Sequence, residues 1–95
     1  MFYTQALAYY PYHFKALFNR GFANDKINNF DAAIQDYTLA IKIDPKNPYA
    51  YYNRGISFDR KCEYQNAIKN FTIAIKLDPK KADFYHNRGF AYRKQ

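Results

Sequence analysis

The chain has 95 residues, with fifteen Lys and Arg against eight Asp and Glu, eleven Tyr, nine Phe and no Trp. One domain is the expectation at this length, and so many large rings exclude a disordered chain. The formal charge of +7 favours acidic protein or nucleic-acid partners but does not bear on fold. A single Cys, Cys62, rules out an intramolecular disulfide and fits a reducing compartment. No run of about 18 apolar residues exists to span a membrane. The opening "MFYTQALAYYPYH" lacks the basic start of a signal peptide. A cytoplasmic location is expected.

In chain order, residues 2–11 read "FYTQALAYYP". Tyr3, Thr4, Ala6, Leu7 and Pro11 recur as Tyr37, Thr38, Ala40, Ile41 and Pro45. The segment therefore reads as the second helix of a repeating unit whose first helix is missing. Residues 14–47 form the first full unit, with a turn at Asn28-Asn29 and an end at Asp44-Pro45. The residue before a proline is pushed out of helical conformation, which fixes that end.

Residues 48–81 repeat the unit. Tyr51, Arg54, Gly55 and Phe58 lie at i, i+3, i+4 and i+7, one face of a helix. After a pause, Tyr64, Ala67, Ile68, Phe71, Ala74 and Ile75 make a second helical stripe that ends at Asp78-Pro79. Residues 82–95 begin a third unit and contain only its first helix. The triplet Asn-Arg-Gly marks the period of 34, at residues 19–21, 53–55 and 87–89. Gly21, Gly55 and Gly89 fall in helix interiors, where Gly costs about 0.8–1 kcal/mol relative to Ala. Recurrence in register points to close helix packing as the compensation.

The full units give Leu17-x2-Arg20-Gly21-x2-Asn24, Ala33-x3-Tyr37, Pro45, and then Tyr51-x2-Arg54-Gly55-x2-Phe58, Ala67-x3-Phe71, Pro79. This pattern and period resemble the tetratricopeptide repeat. Departures are Arg in place of the usual Leu three times, Asn24 in place of an aromatic, and Cys62 where a Gly often sits. The resemblance implies an all-α fold: a right-handed solenoid of helix-turn-helix repeats, with two full repeats and a half repeat at each end.

It also implies that the first helices line a concave groove for an extended peptide. On the helical wheel that face carries Lys15, Phe18, Asn19, Phe22, Asp25 and Lys26 in the first layer. The second layer carries Tyr49, Tyr52, Asn53, Ile56, Asp59 and Arg60. The third carries Asp83, His86, Asn87, Phe90, Arg93 and Lys94. An Asn has two donors and an acceptor, enough to grip a peptide unit at both N–H and C=O. Three in register are similar to the Asn ladder of the repeat region in O-linked N-acetylglucosamine transferases. The alternative is that these Asn bridge adjacent first helices by bonding one another. The carboxylate clamp of chaperone-binding members is not matched: its places hold Phe18, Phe22, Asn53, Asp83 and Asn87, of which only Asn53 fits. Arg20, Arg54 and Arg88 are expected to pack on Tyr rings or pair with acidic residues between helices.

Motifs for catalysis, metals and phosphate loops are missing, so neither enzyme activity nor a cofactor is expected. The primary expectation is a scaffold that binds a protein or peptide, with acidic segments favoured by charge. A second reading is a spacer that self-associates head to tail through 2–10 and 84–94. A third is single-stranded RNA binding. The Lys cluster (Lys42, Lys46, Lys69, Lys76, Lys80, Lys81) falls on second helices and their exits, away from the groove, which disfavours that reading.

Overall fold

The computed structural model describes residues 13–95. The expected helix over 2–11 lies outside the described residues. Five helices follow one another: α1 (Phe14–Lys26), α2 (Phe30–Ile43), α3 (Pro48–Arg60), α4 (Tyr64–Leu77) and α5 (Ala82–Lys94). The described residues contain no strand.

Local chemistry sets the boundaries. At the start of α1, His13 Nδ1 accepts a hydrogen bond from the Ala16 N–H at 3.0 Å. At the start of α3, Asn47 Oδ1 accepts from the Tyr49 N–H at 2.9 Å, with Pro48 in the first turn. Both satisfy donors that a helix start leaves open, and Pro there loses no bond. α2 and α4 stop before Asp44-Pro45 and Asp78-Pro79, as the sequence predicts. Each Asp then caps the turn, accepting from the N–H two residues on, Lys46 and Lys80.

The turns inside each repeat share one geometry. Asn28 and Cys62 are equivalent and both adopt positive φ, 64° and 67°. Around them, Asn28 N–H donates to Asp25 O and Asn29 N–H to Asn24 O. Cys62 and Glu63 repeat this with Asp59 and Phe58. This is the double hydrogen bond of a left-handed helix terminus, a place that favours Gly, then Asn. The departure from Gly at Cys62 is therefore a strained position rather than a different turn.

Within a repeat, the glycines admit a ring. A methyl added to Gly21 would stand 2.8 Å from Tyr37, and one on Gly55 would stand 2.7 Å from Phe71. With Phe84, Tyr37 and Phe71 are the largest fully buried side chains among the described residues. Between repeats, α3 packs on α2 and α5 on α4. Here the structure enlarges the expected stripe. Ala50 and Ser57 are fully buried, as are their third-layer equivalents Phe84 and Ala91. A first helix thus buries two faces: one toward its own second helix and one toward the preceding repeat. Ala91 joins Ala67 and Phe71, and Phe84 joins Ala74 and Ile75, in two small core clusters.

First helices also touch one another, α1 with α3 and α3 with α5, whereas α2 and α4 do not. The first helices therefore converge on the inner side and the second helices splay on the outer side. All six Lys of the second-helix cluster are exposed.

Candidate functional site

The inner side is built from the face of α1, α3 and α5 that neither packing stripe consumes. Phe22 and Tyr49 stand half exposed on it, with Phe90 close behind at 39%. Ile56 is partly buried at the place equivalent to Phe22 and Phe90. Cations lie against the end rings: Lys26 Nζ is 5.0 Å from the Phe22 centroid, and the Arg93 guanidinium is 4.6 Å from that of Phe90. His86 meets Phe90 edge-on at 4.6 Å. Lys15, the equivalent of Tyr49, is exposed.

Other predicted groove residues are partly committed to the scaffold. Tyr52 lies between Phe71 and Phe84, with ring centroids at 5.8 and 4.7 Å. Its hydroxyl accepts a hydrogen bond from Asn87 Nδ2 at 2.7 Å. Burial raises the Tyr52 phenol above its usual range, with the Asp83 charge adding to it and Asn87 opposing. Phe18, the equivalent of Tyr52, stacks on Phe14 and meets Tyr37 edge-on.

The three Asn are half buried and differ in their surroundings. Asn87 donates to Tyr52 and to the Asp83 carbonyl. It bridges adjacent first helices through a Tyr rather than through another Asn, because Tyr52 fills the space between layers. Asn53 instead lines a small cavity of about 40 Å³ with Phe22, Asp25, Tyr37 and Ile56. A volume of that order holds roughly one water or one methyl-sized group. Burial, reinforced by the Asp25 charge, pushes the Tyr37 phenol far above its ordinary range, while Asn53 beside the hydroxyl acts in the other direction. The cavity thus has an apolar rim and a polar floor kept as a neutral phenol. Asn19 lies one layer earlier.

Two charge pairs expected in the groove are structural. Asp25 is buried: Ser57 Oγ donates to its Oδ1 at 2.8 Å and Arg60 Nη1 to its Oδ2 at 3.0 Å. Arg60 also reaches Asn28 and lies over the Phe30 ring at 5.1 Å. In the next layer Lys94 Nζ pairs with Asp59 at 3.1 Å. These ties join successive first helices and leave Arg60 little freedom to meet a ligand. The signal was in the sequence: an acid is followed 35 residues later by a cation, at 25 and 60 and again at 59 and 94.

The Arg of each triplet braces second helices. Arg20 Nε donates to Asp36 Oδ1 at 3.0 Å, and Asn24 Nδ2 donates to Oδ2 at 2.9 Å. This explains Asn24 in place of an aromatic. Arg54 Nε donates to Asn70 Oδ1 at 2.7 Å, and its Nη1 to Thr38 Oγ1 of the preceding repeat at 3.1 Å. Its guanidinium lies 5.6 Å from the Tyr51 centroid. Arg88 bonds Thr72 and lies over Tyr85 in the same manner. The expected contacts, Tyr rings and an acidic partner, are both present.

The TPR repeat family model matches residues 26–61 and 63–95. The chain belongs to the tetratricopeptide repeat family. Among solved structures, the Arabidopsis OM64 TPR domain superposes with a TM-score of 0.91 at 29% identity, covering 97% of this chain and 76% of that one. The first TPR of RPAP3 (Spaghetti), bound to the HSP90 peptide SRMEEVD, gives 0.91 at 22% identity, covering 96% and 72%. MamA gives 0.91 at 27% identity, covering 96% of this chain and 53% of that one. No curated protein matches the sequence. The tetratricopeptide fold accounts for the helix order and the ring-on-glycine packing. Among the described residues, no three His, Cys, Asp or Glu gather to hold a metal, and no helix is long and apolar enough to cross a membrane.

Proposed function

We propose that this chain is a non-enzymatic interaction module, working in the cytoplasm, whose inner face binds an extended peptide segment. One observation carries the reading: in every layer the inner face pairs a solvent-facing ring, Phe22, Tyr49 or Phe90, with a half-buried Asn. Rings offer rigid apolar area with little entropy to lose, and an Asn offers both halves of a peptide-backbone contact. Asn53 and Asn19 are the backbone contacts. The cavity between Phe22 and Ile56 takes one small side chain of the peptide. Asn87, held by Tyr52, shapes the wall. The RPAP3 domain holds an HSP90 peptide on this fold. In this chain Phe18, Asp83 and Asn87 stand where a carboxylate clamp needs cations, so the ligand is gripped along its length rather than by its C-terminus. The net charge of +7 adds long-range attraction for acidic segments.

The test is selection of binding peptides from a random library on the intact chain, followed by titration against Asn53→Ala and Phe22→Ala. Loss of about tenfold or more in affinity in each variant, roughly 1.4 kcal/mol, supports the groove. Unchanged affinity in both would place the ligand elsewhere. Single-stranded RNA binding is the competing reading; it predicts a steep loss of affinity with salt, and the exposed Lys of α2 and α4 rather than the groove would carry it.

A further inference from the structure

Successive layers place a hydroxyl differently. The cavity between α1, α2 and α3 has Tyr37 and Asn53 on its floor beside Asp25, with Phe22 and Ile56 at its mouth. One layer on, Phe71 and Phe90 take the places of Tyr37 and Ile56. The floor there has no phenol and the mouth has a larger ring. Asn87, the equivalent of Asn53, is held by the Tyr52 hydroxyl. Phe18 stands in the place of Tyr52 in the first layer and has no hydroxyl with which to hold Asn53. The floor chemistry is thus particular to this layer rather than a property of the repeat.

We propose that this cavity is a serine pocket, which takes the side chain of an unmodified Ser in the bound peptide. The inference rests on the groove reading and adds the residue that the groove selects. Size is the first filter. A cavity of about 40 Å³ admits a group of roughly the size of a water or a methyl. A hydroxyl on one carbon fits, with the carbon between Phe22 and Ile56, and long or branched side chains do not enter. Hydrogen bonding is the second filter. Burial keeps the proton on the Tyr37 phenol, so the hydroxyl remains a donor, and Asn53 offers a donor and an acceptor. Asp25 is 8% exposed, and its oxygens accept from Ser57 and Arg60. A carboxylate has about four acceptor sites, so about two stay open. A Ser hydroxyl can both donate to this floor and accept from it. An Ala methyl covers the floor and returns no hydrogen bond, which leaves polar groups desolvated and unpaired. Charge is the third filter. Arg60 already balances Asp25, so the floor does not call for a cation. Phosphoserine is too large and sets its negative charge beside Asp25. Phosphorylation of that Ser therefore switches binding off.

The experiment uses the full chain and a peptide selected on it from a random library. The peptide is resynthesised with Ser, Ala, Val or phosphoserine at each position in turn, and each version is titrated by fluorescence anisotropy. One position prefers Ser over Ala by about tenfold, and Val and phosphoserine bind there at least as weakly as Ala. Against Tyr37→Phe the preference falls to about twofold or less, while the Ala peptide binds as it does to the unaltered chain. Phe71 is buried at the equivalent place, so the variant is expected to fold, and circular dichroism checks it. The peptide series on the unaltered chain tests the proposal without any variant. Three outcomes overturn it: no position at which Ser is preferred, a preference that Tyr37→Phe leaves intact, or phosphoserine bound as tightly as Ser. If one of these is found while Phe22→Ala still weakens every peptide, the groove reading stands without the pocket. Affinity unchanged in both Phe22→Ala and Asn53→Ala ends both.

Discussion

At Gly55 an added methyl would stand 2.7 Å from Phe71, and at Gly21 it would stand 2.8 Å from Tyr37, so Ala at either position must displace a buried ring. Each substitution is expected to cost about 1–3 kcal/mol. Gly89→Ala meets only the end of the Arg93 side chain, at an ordinary contact distance of 3.8 Å, and removes the entropy penalty of a helical Gly, so it should stabilise the fold by about 0.5–1 kcal/mol. Thermal melts of the three variants at one low concentration check this opposition. Cys62→Gly relieves a left-handed residue at φ 67° and should stabilise by about 1 kcal/mol, read in the same melts. Tyr37 supplies a pH test. Burial holds its phenol neutral in the folded chain, while the unfolded chain ionises near pH 10. Stability is unaffected below that pH and falls above it, because only the unfolded state gains the charge. Tyr37→Phe, the residue found at position 71, removes this loss. The stability gap between the two proteins should change above about pH 10 in favour of Phe, and denaturant titrations at pH 7 and pH 11 measure it. An unchanged gap would mean the hydroxyl is solvated in the fold.

At the scale of the helices, the period of 34 made most of the fold legible. Ring, glycine, alanine and proline recur in register, and helical spacing assigns each to a face. The turns were legible too, through Asn28 and the two Asp-Pro ends. The second packing face of each first helix was not, because Ala50 and Ser57 sit outside the stripe that faces their own repeat. Whether a small residue is buried depends on what the preceding repeat brings against it. Asp25 shows the same effect: a wheel places it toward the groove, but Ser57 and Arg60 from the next repeat turn it into a buried acceptor. The ties between layers should matter unequally. Arg20→Leu leaves Asp36, 2% exposed, buried with only Asn24, and is expected to cost about 3 kcal/mol. Arg54→Leu leaves neutral Asn70 and Thr38 short of a donor and should cost about 1–2 kcal/mol. Chemical denaturation of the two variants reads the difference. Equal costs would show that the Asp36 charge is not what the Arg answers.

For the molecule as a whole, the arrangement separates two surfaces. The outer side carries the solvated Lys, and the inner side carries rings and Asn between charge pairs that satisfy one another. Asn19, Asn53 and Asn87 were equivalent in the sequence and are not equivalent in the fold: Tyr52 engages Asn87, whereas Asn53 opens on a cavity. On the proposed reading the peptide site centres on α1 and α3, with α5 as a wall. The most direct test is a backbone amide NMR titration of the full chain with a peptide selected from a random library. The groove account predicts that the shifts cluster on the inner faces of α1 and α3, at Asn19, Phe22, Asn53 and Ile56. Shifts confined to the Lys-bearing surfaces of α2 and α4 would contradict it.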